Sequence, residues 1–385
     1  MKLTIISTIL NHGSILQEIG TGLTVLCSMI DRGQINVLTW KNDDSEQLEL
    51  PNNVSIYECF NPKHPLSIFR TLKRAINNDS DVFIYNIMPT AYGTSTIANF
   101  IGLISPIIMK TIFHKKVMII YHNSIHTNDF RKLGYHGVSN YIKAKIILNI
   151  EKLLFKTVET YFLICTYSSL IQAINKKFNV KTLELPYLSS IGTLMLNNML
   201  DKEALDNSQN IIPVILLFGN WGPQKDPENS LKALKNLRNL GVQFQLIVAG
   251  GINVHFPTIN ERIKVLFRTY SEIIYQNLGR VKEKDLMNLF LKSDLVIIDY
   301  NVPGGFSGVL SSAMFFQKFI ISRRYDEFVS QAKDYDKIIF YNENELEKTI
   351  RKYVDEIHPK TVPEKINIRN KIISMKIEIK SKLNS

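Results

Sequence analysis

The stretch LLFGNWGPQKDPE, Leu216 to Glu228, decides the fold, because it joins a strand end, a glycine turn, a lysine and a helix start within thirteen residues. Val214 to Phe218 reads as a buried strand, and Gly219 and Gly222 free the backbone at its C-terminal end. Asp226, Pro227 and Glu228 read as N-cap, N1 and N2 of the next helix. Lys225 then sits beside unpaired helix N–H groups, so a cation and a positive dipole end face one point. That arrangement is built to hold a phosphate. A loop lysine after an ordinary strand is the plainer alternative on this segment alone.

Outward from this stretch, short β-branched runs alternate with helical patterns. The first series is Lys2–Ile9, Ile35–Trp40, Val54–Glu58, Val82–Asn86, Val117–Tyr121, Thr160–Ile164 and Thr182–Leu185. The second is Pro213–Phe218, Phe244–Ala249, Leu295–Tyr300, Phe319–Ser322 and Ile338–Tyr341. Such alternation means βαβ units around parallel sheets. The Asn-, Ser- and Asp-rich region from Pro186 to Ile212 interrupts the rhythm and marks a boundary. The expected architecture is α/β, with two Rossmann-like doubly wound domains, 1–190 and 191–358, facing each other across a cleft. A basic helical tail, 359–385, crosses back toward the first domain. From Lys360 onward it carries seven Lys or Arg against two Glu, with Ile366, Ile373, Ile377 and Leu383 near helical spacing. It reads as a packed helix with a solvated basic face, or as a contact for anionic lipid.

The chain has 385 residues, 45% of them apolar and 21% charged, which suits a globular protein with a core in each half. Cys27, Cys59 and Cys165 are far apart and form no Cys-x-x-Cys pair, favouring a reducing compartment without structural zinc. Met1 to Leu10 reads as a first core strand, not a signal peptide. Ile97 to Phe113 is interrupted by Asn99, Ser105, Pro106 and Lys110, and falls short of the ~20 apolar residues of a membrane span. A net charge of +11 favours polyanions: nucleic acid, anionic lipid or phosphorylated small molecules. The spread of the basic residues and the absence of a recognised module disfavour nucleic acid.

A second glycine segment, Pro303 to Val309, follows the strand Leu295–Tyr300 and precedes another helical run. Ser307 reads as hydroxyl donor and N-cap, and the backbone N–H groups of Gly308 and Val309 point toward the same ligand as Lys225. Two such loops in one domain suggest a diphosphate held between a lysine and a helix dipole. Asp79-Ser80-Asp81 matches a metal-binding Asp-x-Asp pattern, yet it precedes a strand and so falls at the wrong edge of the sheet. His122 and His126 are four apart but follow a strand, and no third metal ligand is evident.

The order FGNWGPQKDPE, LIVAGG, LGRVKEKDL, SDLVIIDY and GGFSGVLSSAMFFQKFIIS resembles the sugar-nucleotide domain of the retaining GT-B glycosyltransferases of family four. In the first half, Tyr121 to His126 is similar to the family's segment holding an active-site histidine, and Gly13 lies in Asn11 to Ser14, where the family places its first glycine loop. The resemblance implies that Lys225 binds the donor diphosphate, that Gly308 and Val309 hold its distal phosphate, and that Arg280 and Val281 border the nucleobase. It implies that His122 contacts the transferred sugar. Asn220 stands where the family usually has an arginine, and Gly304 and Ser312 stand where it commonly has two glutamates.

The implied activity is metal-free transfer of a hexose, with retention, from a UDP- or GDP-linked donor to a lipid-linked or glycan acceptor. The expected place is cytoplasmic and peripheral, on an anionic membrane face, with the tail and the Ile97–Phe113 stretch as contacts. A nucleotide-sugar epimerase would use the same diphosphate site but needs cleft carboxylates. A degenerate transferase acting as a binding module is the other alternative, favoured by the absent arginine and glutamates and disfavoured by Lys225 and Ser307-Gly308-Val309.

Overall fold

The computed structural model describes residues 2–7, 15–30, 33–41, 50–61, 63–88, 92, 95–122, 138–163, 174–176, 183–185, 210–252, 257–281, 283–302, 307–361 and 365–384. The chain divides into two compact units. One holds Met1–Arg131, Tyr135–Leu200 and Asn370–Ser385; the other holds Asp201–Arg369 together with Lys132–Gly134.

The first unit is built on seven parallel strands: β1 (Leu3–Ile6), β2 (Ile35–Trp40), β3 (Val54–Phe60), β4 (Val82–Ile87), β5 (Lys116–Tyr121), β6 (Glu159–Leu163) and β7 (Leu183–Leu185). Their order is β3-β2-β1-β4-β5-β6-β7, so the winding reverses between β1 and β4. The helices are α1 (Ile15–Ile30), α2 (Ile68–Ile76), α3 (Thr96–Thr111) and α4 (Val138–Thr157). Every residue of β1 and β4 is buried, as expected of a parallel sheet covered on both faces, where strands are apolar throughout. The interrupted apolar stretch from Ile97 is α3, a core helix capped by Ser95 Oγ, which accepts from Ala98 N at 3.3 Å. No helix among the described residues is long and apolar enough to cross a membrane. Asp79-Ser80-Asp81 ties the start of β4 to β1, with Lys2 N donating to Asp81 Oδ2 at 2.7 Å and Thr4 Oγ1 meeting Ser80 Oγ at 2.8 Å. It lies at the N-terminal edge, away from where doubly wound sheets bind ligands.

The second unit has six parallel strands in the order β10-β9-β8-β11-β12-β13. They are β8 (Val214–Phe218), β9 (Gln245–Ala249), β10 (Ile274–Asn277), β11 (Leu295–Ile298), β12 (Phe319–Arg323) and β13 (Ile338–Tyr341). Five of these match the runs read from the sequence. The edge strand β10, Ile-Tyr-Gln-Asn, does not, because only one of its neighbours buries it and its burial alternates. The helices are α5 (Glu228–Asn239), α6 (Pro257–Thr269), α7 (Glu283–Lys292), α8 (Gly308–Phe315), α9 (Asp326–Gln331), α10 (Leu346–Lys352) and, running into the first unit, α11 (Ile368–Asn384). Helix α5 shows why these segments fold where they do. Leu231, Leu234 and Leu237 recur on one face and are fully buried, each contributing roughly 1.5–3 kcal/mol. Gly241 then takes φ +84, with its N–H on Arg238 O and that of Val242 on Leu237 O, and the helix stops.

At the C-terminal edge of this sheet the backbones crowd. Gly250 takes φ +126, and a Cβ placed on it would lie 1.7 Å from Gly219 O. Only glycine allows both the angle and the approach. Gly250→Ala should therefore lower unfolding stability in urea by more than about 1 kcal/mol, since alanine at positive φ costs at least that much; an unchanged midpoint would contradict the crowding.

Candidate functional site

Gly219 extends β8 beyond its last residue, donating to Ala249 O at 3.2 Å, and Trp221 N donates to Gly251 O at 2.7 Å. Trp221 is buried edge-on to Phe267 and anchors the loop. The chain then turns tightly, Lys225 N donating to Gly222 O at 3.1 Å. This loop is tied to the end of β11: Asn301 N donates to Gln224 O at 2.8 Å and Asn301 Nδ2 to Pro223 O at 3.3 Å. Lys225 Nζ lies 4.6 Å from the centre of the Tyr300 ring, within cation–π range. Tyr300 Oη in turn meets Ser307 Oγ at 3.1 Å. The two glycine loops, read separately in the sequence, are thus joined by one tyrosine at the point where strand order reverses, between β8 and β11.

Ser307 is the N-cap of α8, its Oγ accepting from Leu310 N at 3.2 Å. Gln331 clasps it from α9: Oε1 accepts from Ser307 N at 3.2 Å, and Nε2 donates to Ser307 O at 2.9 Å and to Ser311 Oγ at 2.8 Å. Helix geometry leaves the first N–H groups, those of Gly308 and Val309, without intrahelical acceptors. Ser312 is half-buried one turn further on. Gly304 lies outside the described residues, as do Gly13 and His126.

The start of α5 differs from its sequence reading. Asp226 Oδ1 accepts from Glu228 N at 3.1 Å, so the cap is present, and Pro227 already has helical angles. Arg262 pairs with both Asp226 and Glu228. Lys232 and Arg262 hold the Glu228 carboxyl below its usual range. Two carboxylates and their arginine therefore occupy the terminus expected to face a ligand beside Lys225.

Asn220 and Arg280 are exposed and converge on Gly251: a Cβ there would lie 3.9 Å from both Asn220 Oδ1 and Arg280 Cγ. Val281, half-buried, follows Arg280. Beneath the site Asp299 is buried, accepting from Asn229 Nδ2 at 2.8 Å, Ser230 Oγ at 3.2 Å and Tyr341 Oη, with Arg323 Nε at 3.8 Å. Burial, reinforced by Asp299, raises the Tyr341 pKa, which keeps its proton on the phenol as donor.

In the first unit, a polar line crosses the corresponding reversal. Ser7 follows β1, Asn86 lies near the end of β4 and His122 follows β5. Asn86 Nδ2 donates to Ser7 Oγ at 2.8 Å, leaving its Oδ1 to accept from His122 Nε2 at 2.5 Å. With the Asn86 amide in this orientation the proton sits on Nε2, and Nδ1 is buried and met by no described group. Neither Ser7 nor Asn86 was singled out in the sequence, where a serine and an asparagine at strand ends carry no distinctive spacing.

The chain has the two-domain α/β architecture of the GT-B fold. Anabaena Alr3699/HepE, solved with UDP and glucose, superposes with a TM-score of 0.64 at 13% identity, covering 100% of both chains. Sucrose-phosphate synthase from Thermosynechococcus elongatus gives 0.66 at 12%, covering 100% of this chain and 98% of that one. UDP-GlcNAc 2-epimerase from Methanocaldococcus jannaschii gives 0.59 at 13%, covering 100% of both. No curated protein sequence matches the chain. Residues 201–365 match the family described as glycosyl transferases group 1.

Burial lowers the His122 pKa from 6.5 to about 3, so the imidazole is neutral at pH 7. The unfolded chain takes up this proton below pH 6.5 while the folded one does not until near pH 3, so stability is lost as pH falls through that window. Urea unfolding at pH 7 and pH 5 should show this group costing about 2 kcal/mol at the lower pH, a slope that His122→Asn removes. Equal slopes in the two proteins would refute a buried neutral imidazole.

Proposed function

We propose that the protein transfers a hexose from a UDP- or GDP-linked donor to a lipid-linked or glycan acceptor, with retention and without a metal ion. The observation that carries this reading is the Lys225–Tyr300–Ser307 line at the strand reversal of the second sheet, which gathers a cation and the α8 terminus around one place. A leaving nucleoside diphosphate develops negative charge as its bond to the sugar breaks. Lys225 and the N–H groups of Gly308 and Val309 oppose that charge, and because Asn301 and Gln331 hold them in place they need little reorganisation. Arg280 and Val281 border the base. His122, neutral, accepts a hydrogen bond from a sugar hydroxyl through Nδ1 and does not act as a base. The acceptor attacks from the face the diphosphate leaves, and the departing phosphate takes its proton. Similarity to a protein solved with UDP supports a uridine donor.

The second reading is a binding module that retains the donor site without turnover. Asn220, Gly304 and Ser312, which stand in place of an arginine and two glutamates of family four, favour it.

A thermal-shift panel of UDP, GDP, ADP and their sugar conjugates tests the site, since ligand at a hundredfold excess over Kd stabilises the fold by about 2.7 kcal/mol. One nucleotide class should shift the midpoint, and Lys225→Ala should weaken that binding roughly tenfold or more, as expected for a lost charge-assisted contact. Slow release of free sugar from the matching donor, without acceptor, separates the transferase from the binding module. A panel with no shift at all would sink the donor site itself.

A further inference from the structure

Six large apolar side chains stand exposed at one edge of the first unit. Leu66 and Phe69 lie on the turn and helix after β3, Ile97 and Phe100 on the first turns of α3, and Tyr141 and Ile142 on the first turns of α4, each between 44% and 64% exposed. Helices that connect parallel strands all begin at the C-terminal edge of the sheet. Here α2 packs beside α3 and α3 beside α4, so the six form one rim. Beside the rim, between the ends of β2 and β3 and the start of α2, lies a cavity of about 580 Å³. Lys41, His64 and Arg70 line it against a single carboxylate, Glu58, and Leu66 belongs to both cavity wall and rim. Its volume is that of a site for a small molecule. Lys143 and Lys145, both exposed, continue the positive charge along α4.

Lys41, Lys143 and Lys145 set this face apart from a protein-binding one, where lysine is depleted while arginine and aromatic residues are enriched. Apolar side chains interleaved with lysine and arginine describe a surface that meets an anionic bilayer, where apolar groups enter the headgroup boundary and basic groups meet phosphate. We propose that the cavity binds the anionic headgroup of a membrane lipid while the rim lies in the bilayer interface. This is a different place from the C-terminal tail, and it does not depend on the donor site in the second unit.

Flotation of the full chain with phosphatidylcholine vesicles, with and without phosphatidylglycerol, tests the assignment. The native protein should float, and more strongly with the anionic lipid. Lys41→Gln with Arg70→Gln should weaken binding to anionic vesicles about fivefold per cation, the equivalent of ~1 kcal/mol each. Phe69→Ser with Ile142→Ser, at exposed positions, should weaken binding to both kinds of vesicle. Lys333→Gln with Lys348→Gln, exposed in the second unit, should change nothing, and Lys225→Ala should still float, which separates this proposal from the donor site. No flotation, or an equal loss in the Lys333 and Lys348 pair, would overturn it. So would a dimer in light scattering that the rim substitutions dissolve.

Discussion

A carboxylate buried in a protein must be met by donors on every side, and Asp299 imposes that condition on the second unit. Its partners come from the first turn of α5, from β12 and from β13, while it sits itself just beyond β11. Removing one partner would leave charge unpaired in a low dielectric, which is among the costlier defects a fold can carry. The next residue, Tyr300, faces Lys225, and Tyr325 Oη fixes the same segment by donating to Tyr300 O at 2.8 Å. The position of the cation thus follows from the position of a carboxylate one residue away.

The electrostatics divide between two helix ends that look alike in sequence. One is closed by its own acids and Arg262; the other is capped by a neutral serine and open at its first N–H groups. The proposed donor site therefore draws on α8, whose first N–H groups have no intrahelical acceptors, and not on the helix that Lys225 precedes. In the first unit the polar groups at the strand reversal are neutral. Asn86 meets Nε2 of His122 and burial keeps the imidazole neutral, so His122 carries no charge.

Much of this was legible in the residues. Buried parallel strands are apolar from end to end, so β8, β9, β11 and β12 stand out as runs, as does the edge strand β13 because its Ile-Ile-Phe-Tyr is apolar, and glycines with a lysine or a serine mark the loops after β8 and β11. The edge strand β10 was not legible, because its burial alternates and it carries Gln276 and Asn277. Asp299 fell inside the strand run Leu295–Tyr300, with no spacing that pairs it to Asn229, Ser230 or Tyr341. The acid-rich start of α5 read as a cap beside a ligand because Arg262, the residue that closes it, lies 34 and 36 positions away.

By itself the sequence determined the α/β class, the alternation of the two series and the place of the glycine loops, since these follow from local periodicity and backbone freedom. Tertiary structure alone decided which loop meets which: that Tyr300 joins Lys225 to Ser307, that Gln331 holds the cap, that Asn86 meets His122, and that exposed apolar side chains of a turn and three helix starts lie near a basic cavity. Those choices depend on strand order and on side-chain contacts across tens of residues, and a linear pattern carries no record of either.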